Sequence, residues 1–164
     1  MVKVTKFGGS SLASAEQFRK VADIIMSDPA RKYVVPSAPG KRFAEDVKVT
    51  DMLYACYKAA VKGQDFDAKF DAIKERYNGI ISELGMDLSL EKEYEAIAAG
   101  FKGRAGRDYA ASRGEFLNGI ILAKYLDYEF IDAADVVFFN EDGTFNNDMT
   151  NQALRDRLEG VEKA

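Results

Sequence analysis

Apolar and polar residues alternate from Val2 to Phe7 and then give way to Gly8-Gly9-Ser10-Ser11, the pattern of a strand running into a tight loop. Ser14-Ala-Glu-Gln17 has the spacing of a capping box, and Phe18, Val21 and Ile25 supply the apolar stripe of the helix it starts. Asp28-Pro29 stops that helix, because a residue before proline is pushed out of the helical region. Tyr33-Val34-Val35 reads as a second strand parallel to the first, so residues 2–36 form a βαβ unit. Pro36 to Asp46 has loop composition. Four helical stripes follow: Met52 to Ala60, ending at Gly63; Phe66 to Leu84, ending at Gly85; Leu90 to Phe101; and Tyr109 to Leu126, which is apolar on most sides. The pattern then predicts strands at Tyr128–Asp132 and Val136–Phe139, a turn at Asn140-Glu-Asp-Gly143, and a last charged helix capped by Thr150 and running to Ala164. This order predicts an α/β fold, a three-layer αβα sandwich around a mainly parallel sheet.

Composition narrows the chemistry. At 47% hydrophobic and 30% charged over 164 residues, the chain has the makeup of one ordinary globular core. The net charge of −4 gives no reason to expect a nucleic-acid partner. No apolar run approaches the roughly 20 residues that cross a bilayer, so no membrane partner is expected and a cytoplasmic setting is. Histidine is absent and there is one cysteine, which excludes Ser-His-Asp and Cys-His nucleophiles and His- or multi-Cys-ligated metals. Lys, Arg, carboxylates, hydroxyls and backbone amides remain. That set suits phosphoryl transfer, where positioning and charge stabilisation dominate.

Three places carry such groups. Lys6-Phe7-Gly8-Gly9-Ser10-Ser11 brings an ammonium and glycine amides to a strand exit, which fits either an anion site or a plain strand-to-helix turn. It has neither the GxxxxGK[ST] nor the GxGxxG spacing. Ser37 lies beyond the carboxyl end of the second strand, where open α/β sheets bind ligands, although its hydroxyl would equally satisfy a turn. Thr50 either meets a ligand or caps a helix. Glu115 sits on the most apolar helix, where a buried carboxylate needs a partner: solvent, an arginine or a ligand's ammonium.

Lys6-Phe-Gly-Gly-Ser-Ser11, Val34-Val-Pro-Ser-Ala-Pro-Gly40, Val49-Thr-Asp-Met-Leu53, Ser112-Arg-Gly-Glu115 and Phe130-Ile-Asp-Ala-Ala134 occur in an order and spacing that resemble aspartate kinases, within the amino-acid kinase family. The likeness runs along nearly the whole chain. It implies transfer of the ATP γ-phosphate to the β-carboxylate of L-aspartate, giving 4-phospho-L-aspartate, with Mg²⁺ accompanying ATP and no resident metal. Lys6 would stabilise charge on the transferred group, and Gly8, Gly9 and Ser10 would cradle phosphates. Ser37 and Thr50 would fix aspartate, while Glu115 would receive its α-ammonium. A homo-oligomeric parent enzyme is also implied. Arg113 falls where the family varies and is given no role.

Aspartate kinases are more than twice this long. The resemblance therefore implies that residues 1–164 are the N-terminal, aspartate-binding part of an amino-acid kinase domain. A later Gly-Arg-Gly-Gly-Ser-Asp segment, the C-terminal nucleotide-binding half and the ACT regulatory domains would be missing, as in an excised or truncated product. Gly103-Arg-Ala-Gly-Arg-Asp108 superficially resembles that segment but precedes Ser112–Glu115, and reads as an interhelical loop. Alone, the chain is expected to have little or no kinase activity and an open sheet edge that favours self-association. The competing readings are a kinase for acetylglutamate, glutamate, carbamate or UMP, and a non-catalytic α/β binding module.

Overall fold

A computed structural model describes all of residues 1–164. β1 (Lys3–Phe7) and β2 (Arg31–Pro36) pair in parallel, joined by a 3-10 turn at Gly9–Leu12 and by α1 (Ala15–Met26). The βαβ unit is thus as expected, and Ser14 caps α1 by accepting from the amide of Gln17 at 3.4 Å. Four helices follow: α2 (Val49–Val61), α3 (Asp67–Glu83), α4 (Glu91–Lys102) and α5 (Arg107–Leu126). Gly63 and Gly85 take φ of +67° and +68° and end α2 and α3. The amides of Gln64 and Met86 then reach back to the carbonyls of Ala59 and Ile81, closing both ends in the manner only a left-handed residue allows. Gly103 to Gly106 is the loop between α4 and α5, as its charge content suggests.

One buried cluster of 23 residues is built almost wholly from the helices, with Phe7 and Val34 of the sheet packed against it. Phe66, Phe70, Tyr94, Phe101 and Tyr109 meet edge to face at 5.7 to 6.4 Å and lock α3, α4 and the start of α5 together. On the other sheet face Val4 is 67% exposed, and Val35, which pairs with Lys6, is 49% exposed. The helices of this chain therefore cover one side of the sheet.

The C-terminal quarter departs from the expected strands. Residues 128–132 form no strand, because residues 163 and 164 stand between them and β2. Ala164 donates to Lys32 O and accepts from the Val34 amide, at 3.0 and 2.8 Å, and Glu129 is left with one bond to Lys163 O. Residue 164 thus covers part of the outer edge of β2, while the other edge of this two-stranded sheet, along β1, has no strand beside it. The predicted strand Val136–Phe139 is replaced at its start by a short helix, α6 (Ala133–Val136), because Asp132 caps it by accepting from the Ala134 amide. The expected turn does form: Phe139 and Phe145 bridge antiparallel across it. Thr150 is not a cap. Asn146 starts α7 (Asn147–Leu158) instead, and the buried Thr150 hydroxyl accepts from the Phe138 amide. The helix stops at Leu158 so that the following residues can reach β2.

Phe101, at 1% exposure, touches three of the other rings in the aromatic cluster. Phe101→Ala is expected to cost about 3–5 kcal/mol. Urea unfolding followed by circular dichroism checks this, and a loss under about 1 kcal/mol would mean that the cluster does not organise the core.

Candidate active-site cleft

Four chain segments converge at the carboxyl ends of β1 and β2. The Ser37 amide donates to Phe7 O at 3.0 Å, which carries the ladder one step past the strands. Gly9 and Gly40 then press backbone to backbone, with the Gly40 amide donating to Gly9 O at 2.8 Å. A Cβ on Gly9 would stand 2.8 Å from Ala38 O, and one on Gly40 would stand 2.7 Å from the carbonyl carbon of Gly9. Both glycines are thus demanded by this close approach. Gly8 is different. Its φ is −77°, and an added Cβ would meet nothing within 4 Å, so no contact inside the chain requires a glycine there.

The cleft between these segments has a volume of about 450 Å³, within the range of small-molecule sites. Gly9 and Ser10 line it from the β1 exit, and Ser37 to Lys41 from the β2 exit. Lys48 and Thr50 come from the start of α2, and Glu115 from α5. Of the residues picked out from sequence, the structure therefore gathers Gly9, Ser10, Ser37, Thr50 and Glu115 around one space. Lys6 and Gly8 lie outside the lining; Lys6 is exposed on β1 beside Val35. Thr50 makes no capping bond: Lys48 occupies the cap position of α2, and Thr50 stands in its first turn. Glu115 is exposed and takes part in none of the chain's ion pairs, so its carboxylate is available. The lining is polar and carries two ammonium groups, on Lys41 and Lys48, against the one carboxylate. No cluster of three or more Cys, Asp or Glu gathers to hold a metal.

Buried polar groups behind the wall hold it in place. Arg76, on the core stripe of α3 at a side-chain exposure of 4%, donates to Asp46 Oδ2 at 2.9 Å, Gly40 O at 2.7 Å and Ala13 O at 3.2 Å. Asp46 also accepts three bonds from Arg42, at the backbone amide, Nε and Nη2. These bonds, with the Arg76 guanidinium beside them, hold the Asp46 carboxyl well below the usual carboxylate range. The Val49 amide donates to Pro39 O and closes residues 40–48 into a loop pinned at both ends. From α5, the fully buried Asn118 donates to Ser37 O at 2.7 Å. Tyr77 donates to Gly114 O at 2.7 Å, and its burial raises the phenol's pKa well above its ordinary value, keeping it a neutral donor. Arg76, Asp46, Asn118 and Lys48 were not anticipated. An arginine three residues after Ile73 and an asparagine beside Leu117, both on buried helix faces, were the available signals.

The profile of the Amino acid kinase family matches residues 1–161. Aspartokinase 3 of Bacillus subtilis is 40% identical over 155 residues, taking in 87% of this chain and 34% of that protein. Aspartokinase 1, chloroplastic, of Arabidopsis thaliana is 34% identical over 176 residues, or 94% of this chain and 30% of that one. The crystal structure of Clostridium acetobutylicum aspartate kinase superimposes with a TM-score of 0.96 at 48% identity, covering 99% of this chain and 38% of that one. E. coli aspartokinase III, solved with aspartate and ADP, shares the fold at a TM-score of 0.77 and 23% identity; the match covers 98% of this chain and 39% of that one. The chain spans about a third of the length of the curated relatives it matches.

Asp46→Asn removes a buried charge and leaves Arg76 uncompensated, an expected cost of about 3 kcal/mol at pH 7. The Asp46 carboxyl is depressed in the folded state, so its stabilisation is complete above the unfolded value of about 4 and fades as pH falls toward the folded one. Urea titrations of both proteins from pH 7 to pH 3 should show the gap narrowing; a constant gap would count against the ion cluster. Gly114 lies against the loop wall, where an added Cβ would sit 2.8 Å from Ala38 Cβ. Gly114→Ala should cost about 1–3 kcal/mol. It should also shift the amide resonances of Ser37 to Gly40, and unchanged resonances would show that α5 does not set the wall.

Proposed function

The chain belongs to the amino acid kinase family, and on that premise we propose that it forms the aspartate-binding part of an aspartate kinase. The proposed reaction transfers the γ-phosphate of ATP to the β-carboxylate of L-aspartate, giving 4-phospho-L-aspartate and ADP. The observation that carries this reading is the meeting of Ser37, Thr50 and Glu115, from three separate motifs, with Gly9 and Ser10 in one polar cleft. Support comes from the 48% identity to an aspartate kinase of known structure and from the aspartate and ADP bound in the E. coli relative.

The chemistry asks little of acid–base groups. The β-carboxylate is ionised at neutral pH, so one of its oxygens attacks the γ-phosphorus without a general base while the bond to the β,γ-bridging oxygen breaks. The difficulty is electrostatic, since two anions must come together. Glu115 takes the α-ammonium of aspartate, and the Ser37 and Thr50 hydroxyls orient it. The amides of Gly8, Gly9 and Ser10 receive phosphate oxygens, and the open space around Gly8 lets a phosphate approach its backbone. Lys6, exposed and in no ion pair, has an ammonium free to meet the transferred group. Mg²⁺ arrives with ATP as part of that substrate.

Titration of the 164-residue chain, followed by NMR or calorimetry, tests the binding half of this reading. L-Aspartate should bind in preference to N-acetyl-L-glutamate and UMP. Glu115→Gln should weaken aspartate at least tenfold, the loss of one charge-assisted contact. Tighter binding of N-acetyl-L-glutamate, or an unchanged aspartate affinity in Glu115→Gln, would overturn it.

A further inference from the structure

The function proposed above uses a carboxylate and two hydroxyls to hold aspartate, yet the cleft also contains two lysines that none of the sequence motifs called on. We propose that Lys48 is a substrate-binding residue whose ammonium pairs with a carboxylate of the amino dicarboxylate held by Glu115. This rests on the reading of the cleft as an aspartate site and adds to it the group that recognises the ligand's negative charge.

Charge balance supports the assignment. Lys41, Lys48 and Glu115 give the lining one net positive charge. An amino dicarboxylate carries one net negative charge at neutral pH, because its ammonium offsets one of its two carboxylates. Glu115 alone accounts for the ammonium and would repel both carboxylates. A cation in the same cleft lets the ligand be held by both of its charge types.

The two lysines are not equivalent. Lys41 is engaged within its own loop, donating to Ala44 O at 3.0 Å. Lys48 has no ion-pair partner in the chain. Its backbone, however, is firmly placed. Its carbonyl accepts from the amides of Asp51 and Met52 at 3.0 and 3.1 Å, and the neighbouring Val49 amide is bonded to Pro39 O at 3.2 Å. Asp46, two residues earlier, is clamped by Arg42 and Arg76. Lys48 is thus a mobile cationic head on a fixed stem at the cleft wall, two residues from Thr50. An isolated surface lysine would be strongly screened by water and salt. Lys48 shares a polar cleft with Glu115, where a ligand's carboxylates find no other unengaged ammonium group in the lining.

The test is an NMR titration of the 164-residue chain with L-aspartate, in the unaltered protein and in Lys48→Met, Lys48→Arg and Glu115→Gln. Methionine keeps an unbranched apolar stem and removes the charge, and Lys48 is exposed, so thermal melts should be unchanged. Lys48→Met is expected to weaken L-aspartate roughly tenfold. Lys48→Arg should retain most of the affinity, and the salt dependence of binding should flatten in Lys48→Met but not in Lys48→Arg. A merely structural role would move the melt and leave the salt dependence alone. If Glu115→Gln loses aspartate while Lys48→Met stays within twofold of the unaltered chain, the assignment of Lys48 fails and the aspartate reading stands. If the unaltered chain binds no aspartate at tens of millimolar, both fail together.

Discussion

The arrangement of the cleft depends on one buried guanidinium. Arg76 leaves the core stripe of α3 to bind the carbonyls of Ala13 and Gly40 and the carboxylate of Asp46. The first of these groups follows the glycine-rich turn, the second ends the wall after β2, and the third sits within the loop leading to α2. A buried cation of this kind is costly unless acceptors answer it, and here two connections, the β1–α1 turn and the β2–α2 loop, supply acceptors to both terminal nitrogens, while Nε has no partner. The loops are held in register because moving either of them would strand a charge. That explains how a cleft walled mostly by irregular backbone keeps a defined shape.

Most of the helical frame could be read from the sequence because it obeys local rules. Apolar spacing located α1 to α5, and Gly63 and Gly85 marked two helix ends through a conformation that other residues resist. Ser37 was also legible from its place beyond a strand end, Glu115 as a carboxylate on an apolar helix, and Thr50 as a hydroxyl with two possible uses, a helix cap or a ligand contact. What escaped was set by partners far along the chain. Residues 128–132 have strand composition, but whether they pair depends on the tail beside β2. Thr150 had the residue type of a helix cap, yet Asn146 competes for that position and wins it four residues earlier. Arg76 and Lys48 look in sequence like two more charges among fifty, and only the meeting of α3 with the 40–48 loop gives them a setting.

Two glycines that look alike in the sequence also separate by cause. Gly9 is required by the passage of Gly40 against it, whereas Gly8 has space around it that nothing in the chain fills. Close backbone packing therefore accounts for one glycine of the turn and not for its neighbour. The same division runs through the lysines, one engaged with its own loop and one unengaged at the wall. In each pair the structure distinguishes a residue that serves the fold from one left available to a ligand.

The bonds between Ala164 and β2 bear on the order in which the molecule assembles. Lys32 and Ala164 are far apart along the chain, whereas the contacts that define α1 to α5 are largely local. During synthesis the βαβ unit and the helices emerge well before residues 163 and 164, and β2 must keep an unsatisfied edge until those two residues are available. For that interval the nascent chain depends on its aromatic core rather than on a completed sheet, and its exposed strand is open to pairing with other unfinished chains.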